Sequence, residues 1–278
     1  MAFESVGGEC VFSSEIGIEE RLTYFMNFGS FPSGDITETP TSTVPGDHKY
    51  ELLTAGFPCQ SFCKAGLKTG LNDARGELFF EVLRFANAAR PAAMLLENVP
   101  HLMKVDEGAA LATILDELSQ IGYKVHHWLL SSRNVVPQDR LRLYIACFLD
   151  EKHHAAFKWP ERLIAKLEEA SPTPPCVREI LEDASTVDPD FTVNEHQWQK
   201  LQAREDVRLV DRDRGSRTII ASYKNAHSTF CEFVADEEET KQVAAGTLAQ
   251  LSGPPRFFTP REVARLQGFP ASTQAMLP

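Results

Sequence analysis

The sequence is poor in cysteine, in basic residues at its start and in long apolar runs, and each shortage excludes a class of protein. Only six of its 278 residues are cysteine, and no two have the Cys-x-x-Cys spacing, so we predict neither a disulfide framework nor a metal site. The first twenty residues contain no Lys or Arg, which excludes the start of a secretory signal peptide. No apolar run approaches the roughly 20 residues of a membrane-spanning helix. We therefore expect a protein that is neither secreted nor membrane-bound, nuclear in a eukaryotic cell or cytoplasmic in a bacterium.

Basic residues are also outnumbered, because 28 Lys and Arg stand against 39 Asp and Glu and give a formal net charge of −11. This is the wrong sign for a protein that coats nucleic acid nonspecifically, so any contact with nucleic acid must be local. One candidate is the arginine cluster of residues 204–217, in which acidic residues lie between the arginines. Such a pattern is typical of a solvated mixed-charge helix, and it also suits contact with backbone phosphates.

Apolar runs and helical repeats alternate along the first half of the chain. Residues 19–27, 77–89 and 111–118 have the spacing of helices, and the last of these ends at Gly122. Around them we predict five strands: Cys10–Ile16, Tyr50–Ala55, Ala92–Leu96, Val125–Leu130 and Leu141–Leu149. This alternation predicts an α/β fold with a doubly wound, mostly parallel sheet and helices on both faces. Ligands of such sheets bind beyond the carboxyl ends of the strands.

The organisation changes after about residue 157. Ala170–Pro175 is a proline-rich connector, and the periodicity weakens beyond it, which indicates a second, smaller domain. Near the end of the chain, Thr259-Pro260 has the residue types of a helix start.

Three polar segments lie where predicted strands end or begin. Cys59 stands between Pro and Gln directly after the second predicted strand. This place is typical of a nucleophile, although buried structural cysteines are also common. Glu97-Asn98-Val99 closes the third strand, and Gln138-x-Arg140-x-Arg142 opens the fifth, where alternation predicts both arginines on one face.

Together these segments resemble the motifs of the S-adenosylmethionine-dependent cytosine-C5 DNA methyltransferases. Phe257–Pro270 is similar to the segment by which that family returns to its catalytic domain, and the likeness extends from about Glu4 to Pro270. The resemblance implies a Rossmann-like class I methyltransferase fold. It also implies a catalytic domain over 1–157, a small target-recognition domain over 158–253 and a return segment over 254–278.

The resemblance assigns a role to each polar side chain. Cytosine C5 is a weak nucleophile, so the Cys59 thiolate would first add to C6 while Glu97 donates a proton to N3. Arg142 would hydrogen-bond the cytosine O2 and orient Glu97, and Arg140 would lie near the nucleic-acid backbone. The target base must leave its stack for this chemistry, so base flipping is implied.

The resemblance also implies contacts to the cofactor, S-adenosylmethionine. Glu15 is similar to the acid that binds the cofactor ribose, while a solvated surface acid is the alternative for it and for Asp35. The implied cofactor residues, running from the ribose and adenine to the methionine end, are Glu15, Ile16, Asp35, Ile36, Pro58 and Leu78.

Two motifs of the family have no counterpart in this sequence. The likeness begins after the first glycine-rich cofactor motif and stops before the last motif, so we expect an incomplete cofactor pocket. The leading hypothesis is a monomeric enzyme that methylates double-stranded DNA. Ser222-Tyr223 and Phe257–Pro260 have some likeness to the branch that methylates tRNA, which is the first alternative. A noncatalytic nucleic-acid-binding relative is the second.

Overall fold

A computed structural model of the chain divides it into two compact units. The first comprises Met1–Leu130 and Leu141–Lys158, and the second comprises Ser131–Arg140 and Trp159–Leu277. The structure describes residues 2–44, 50–58, 77–158, 164–165, 173–204, 208–220, 223, 231–242 and 251–270. The division into catalytic, recognition and return segments concerns function, and it stays a prediction.

The described residues form eight strands and seven α-helices. The strands are β1 (Leu52–Gly56), β2 (Ala93–Asn98), β3 (Lys124–Ser131), β4 (Gln138–Asp139), β5 (Leu141–Phe148), β6 (Arg208–Leu209), β7 (Ser216–Arg217) and β8 (Glu232–Phe233). The helices are α1 (Ile18–Phe28), α2 (Glu77–Ala89), α3 (Ala109–Gln120), α4 (Glu151–Ala156), α5 (Glu195–Gln202), α6 (Glu237–Gln242) and α7 (Pro260–Leu266). None of the helices in these ranges is both long and apolar enough to cross a bilayer.

The main sheet has the strand order β1-β2-β5-β3. β1 and β2 are parallel, whereas β2 and β5 are antiparallel. The α/β architecture is the predicted one, and the described part of the sheet is mixed. The connection 132–140 between β3 and β5 is shorter than the dozen or more residues that a parallel crossover needs, so the chain returns without a helix.

The core of the first unit forms where α2 and α3 meet the sheet. On α3 the buried positions are Ala110, Leu111, Ile114 and Leu118, the stripe that the periodicity predicts. Gly122, with φ of +90°, follows the end of this helix in the left-handed region that glycine adopts most easily.

The predicted strand over Cys10–Ile16 is wrong for the described chain. Ser14 makes only an isolated parallel bridge with Ser33. A strand is held by hydrogen bonds to a neighbouring strand. Among the described residues, this segment makes no pairing more extensive than that single bridge. The following helix, α1, buries none of its side chains, and Leu22, Phe25 and Met26 are exposed on it.

The second unit has its own apolar core. Trp198 of α5, Phe233 of β8 and Leu266 of α7 all lie in it. β4 pairs with β7, and β6 with β8, each in parallel. Thr259 caps α7 through its hydroxyl, and Pro260 occupies the first turn, which confirms the predicted helix start.

Candidate active site

Glu97 lies near the carboxyl end of β2. Met94, Leu96 and Asn98 alternate as the buried face of this strand, and Glu97 lies on the other face. In the sheet it is opposite Gly56 of β1 and Tyr144 of β5. The carboxylate is thus carried by a strand that is paired on both sides, which fixes its backbone.

Arg142 of β5 is the partner of Glu97. Its Nε lies 2.8 Å from Glu97 Oε1, and the arginine side chain is only 12% exposed against 35% for the glutamate. The Arg142 Nη1 donates to the Leu141 carbonyl at 2.7 Å, so the guanidinium is held at two points. The attraction between these opposite charges at 2.8 Å favours this orientation of the carboxylate.

The second carboxylate oxygen of Glu97 faces a glycine. A Cβ built on Gly56 would lie 3.4 Å from Glu97 Oε2. A methyl group at this position would thus be in close van der Waals contact with Oε2, while Oε1 is paired with Arg142.

Asn98 joins the end of β2 to the segment that leads into Cys59. Its buried side chain donates from Nδ2 to the Phe57 carbonyl at 2.7 Å and accepts at Oδ1 from the Val99 amide at 2.9 Å. Pro58, which follows Phe57 in the chain, is exposed. Cys59 itself lies outside the described residues. Asn98 was not among the predicted site residues. Its position in the strand was the available indication, because Asn98 is the one polar residue on the otherwise apolar buried face of β2.

Replacing Asn98 with alanine should lower the methyl-transfer rate roughly tenfold or more, since leaving the buried Phe57 carbonyl unpaired costs about 1–3 kcal/mol. The expected cause is misplacement of Cys59, two residues beyond Phe57. The measurement is the single-turnover rate with saturating DNA, alongside thermal unfolding. Asn87→Ala, on the exposed face of α2, is the matched control. A folded Asn98→Ala protein with an unchanged rate would contradict the assignment.

Arg140 lies between β4 and β5, because β5 begins at Leu141. Its amide donates to Ser132 Oγ at 3.1 Å, and its carbonyl accepts from the Ser132 amide at 3.3 Å. Arg142 is a residue of β5 itself, and the placement of both arginines on one face stays a prediction.

The two segments predicted to bind the ribose and adenine are adjacent. The Glu15 amide donates to the Ser33 carbonyl at 3.0 Å, and Ser14 Oγ donates to the Gly34 carbonyl at 2.7 Å. Glu15 and Ile16 are exposed. Hydrogen bonds from the Thr37 amide and hydroxyl hold the pKa of the Asp35 carboxyl below its ordinary value.

Helix α2 supports the second of these segments. Arg84 Nη2 donates to the carbonyls of Ile36 and Thr39 at 2.8 and 2.9 Å. Leu78, in the first turn of the same helix, is half-buried. Arg84 thus ties the segment of Asp35 and Ile36 to the helix that carries Leu78, a role that sequence reasoning missed.

The arginine cluster is paired with acids of its own unit. Arg214 lies 3.3 Å from Asp211, and Arg217 lies 3.7 Å from Glu232. The segment carries β6 and β7, so the mixed-charge helix is wrong, because pairing with distant strands overrides the local pattern. The mixed-charge pairing itself is observed.

The α/β fold and the Glu97–Arg142 pair are those that the resemblance to class I methyltransferases implies. A family model described as C-5 cytosine-specific DNA methylase matches residues 1–275. The chain belongs to this family of cytosine-C5 DNA methyltransferases, which act on DNA with S-adenosylmethionine as methyl donor.

Two relatives illustrate the extent of the similarity. The chain is 38% identical over 274 residues to the Type II methyltransferase M.DsaV of Dactylococcopsis salina, covering 97% of this chain and 72% of the relative. It is 38% identical over 276 residues to the Type II methyltransferase M.NlaX of Neisseria lactamica, covering 98% of this chain and 81% of the relative.

Solved structures agree on the fold. The chain superimposes on the crystal structure of S. pombe Dnmt2 methyltransferase with a TM-score of 0.74 at 21% identity, covering 98% of this chain and 82% of that one. A Spodoptera frugiperda DNMT2 mutant gives 0.72 at 20% identity, with 98% and 84% covered. These similarities confirm the class I methyltransferase fold.

Proposed function

We propose that this chain methylates C5 of a flipped-out cytosine in double-stranded DNA through a covalent Cys59 adduct, with Glu97 as the proton donor. The observation that carries the proposal is the 2.8 Å contact between Arg142 Nε and Glu97 Oε1. In this proposal the other oxygen, Oε2, carries the proton for N3. Asn98 supports the proposal from the other side, because it anchors the backbone two residues before Cys59.

The proposed steps conserve atoms and electrons. The Cys59 thiolate shares an electron pair with C6 while N3 takes a proton from Glu97, and C5 becomes the nucleophilic carbon of an enamine. C5 then bonds to the methyl group as the bond from that group to the sulfonium sulfur breaks, and the electron pair of the broken bond leaves with the sulfur as the thioether S-adenosylhomocysteine. C5 next loses its proton to solvent. The electrons of that C–H bond restore the C5–C6 double bond and expel the Cys59 thiolate, and the N3 proton returns to Glu97.

The two arginines have separate tasks in this proposal. Arg142 donates to the cytosine O2 and keeps Glu97 oriented, which requires the fixed fork of donors that lysine lacks. Arg140 contacts a backbone phosphate and so helps to hold the DNA. The roles of both arginines follow from the family resemblance, and the contact with Glu97 supports that of Arg142 directly.

The carboxylates of Glu15 and Asp35 suit the ribose and the adenine of S-adenosylmethionine. Bound S-adenosylmethionine supplies an electrophilic methyl group on a sulfonium. The exposed Glu15 carboxylate would accept hydrogen bonds from ribose hydroxyls, and Asp35 with Ile36 would read the adenine. The bridge between Ser14 and Ser33 supports this assignment, because it brings the two segments side by side.

The experiment is a methyl-transfer assay with labelled S-adenosylmethionine, offering duplex DNA and tRNA in parallel, preceded by calorimetric titration of the cofactor. We expect micromolar cofactor binding and 5-methylcytosine in the DNA alone. Label in the tRNA instead would favour the alternative substrate. A folded sample that binds DNA and no cofactor would contradict the catalytic proposal and leave the noncatalytic alternative.

A further inference from the structure

One hydroxyl organises the backbone on which Arg140 stands. Ser132 Oγ accepts from the Arg140 amide at 3.1 Å and donates to the Gln138 carbonyl at 2.6 Å. The Ser132 amide donates to the Arg140 carbonyl at 3.3 Å. A single half-buried serine therefore makes three hydrogen bonds across the 132–140 loop, two of them to Arg140 itself.

The neighbouring positions are held from other directions. Asp139 Oδ1 accepts from Ser131 Oγ at 2.6 Å, and the Asp139 carbonyl accepts from Thr218 Oγ1 at 2.9 Å. β4 pairs with β7 through Gln138 and Asp139 and stops before Arg140. Arg140 is thus the first residue beyond this pair of strands, and its backbone amide and carbonyl both form hydrogen bonds with Ser132.

We propose that Ser132 is a positioning residue for DNA binding, which fixes the backbone of Arg140 so that its guanidinium meets a phosphate. The inference rests on the proposed function, in which Arg140 contacts the DNA backbone. A long arginine side chain loses conformational freedom on binding, and an ordered backbone beneath it reduces that cost. Without the hydroxyl, the Arg140 amide and the Gln138 carbonyl lose the group that holds them together.

The test compares Ser132→Thr with Ser132→Val, a pair of equal shape that differs in the hydroxyl, together with Ser132→Ala. For Val and Ala we expect the Kd and KM for duplex DNA to rise about five- to thirtyfold, as for loss of one or two well-placed hydrogen bonds, with kcat within about twofold. Thr should stay near the wild type. Thr113→Ala, which removes a hydroxyl-to-carbonyl hydrogen bond from α3, is the control for a purely local loss.

Two further readouts distinguish positioning from a structural role. Loss of one phosphate contact should lower the slope of log Kd against log salt concentration by about 1, both in Arg140→Gln and in Ser132→Val. In the double variant, the Ser132 change should add nothing to the loss caused by Arg140→Gln.

Each failure has its own meaning. If Arg140→Gln leaves the Kd and the salt slope unchanged, the proposed role of Arg140 is wrong. If Arg140→Gln weakens binding while Ser132→Val does not, or the two losses add in full, the inference about Ser132 is overturned. If neither Ala nor Val folds at this position, Ser132 is a structural residue and the inference is overturned as well.

Discussion

We expect Cys59→Ser to lower the methyl-transfer rate by at least about a thousandfold and to leave DNA affinity within a factor of two or three of the wild type. A thiol has an unperturbed pKa near 8.5 and supplies thiolate at neutral pH, whereas a serine hydroxyl supplies almost no alkoxide without a dedicated base. DNA binding depends on phosphate and base contacts that the substitution does not touch. The measurement is label transferred to duplex DNA, with affinity determined separately.

The matched control is Cys63→Ser, four residues further along the sequence. It should retain methyl transfer, since no proposed step uses the Cys63 thiol. Duplex DNA with 5-fluorocytosine at the target position adds a direct test, because the fluorine cannot leave C5 as a proton does and the covalent adduct persists. Mass spectrometry should find that adduct on the wild type and on Cys63→Ser only. An active Cys59→Ser protein would remove the covalent step from the mechanism.

Glu97→Gln should lower kcat by about 10²–10⁴-fold, the usual contribution of a general acid. Glutamine has nearly the same shape and keeps an acceptor oxygen for Arg142, so the backbone and the guanidinium should stay in place. It has no acidic proton for N3, so C5 is not activated. The measurement is the single-turnover rate at saturating DNA and cofactor.

Binding constants provide the internal check on this variant. Affinity for DNA and S-adenosylmethionine should change little in Glu97→Gln, because the lost interaction belongs to the transition state. Glu51→Gln, an exposed acid just before β1, is the control and should be fully active. If Glu97→Gln transferred methyl groups at the wild-type rate, protonation of N3 would have to come from another group.

The elements that the sequence predicted well are those with a local cause. The stripe of α3 and the cap of α7 depend on residues three or four positions apart, and both are observed. β2 was recognisable from its continuous apolar run, which is typical of a strand covered on both faces.

The parts that were mispredicted depend on partners far away in the chain. Cys10–Ile16 has the composition of a strand, yet in the described chain it finds only a single bridge. Arg140 and Arg142 alternate in the sequence, but β5 begins at Leu141, so only Arg142 lies in the strand. The contact between Arg142 and Glu97 depends on the register of β2 against β5, which local pattern does not encode. The family resemblance predicted that pairing, and the roles of its residues stay predictions.

The strand order also fixes the sequence in which parts of the protein can be completed during synthesis. Domains fold from the N-terminus as the ribosome extends the chain. The contact between Glu97 and Arg142 can form only after β5 has been synthesised and has paired with β2. β4 lies between these two strands in the sequence, and it can pair only after β7 has been synthesised, much later. Since closing long loops must precede the gain from non-local contacts, the carboxylate–guanidinium pair can form in a nascent chain that still lacks the β7 partner of Gln138 and Asp139. A translational pause shortly after β5 would favour this order of assembly.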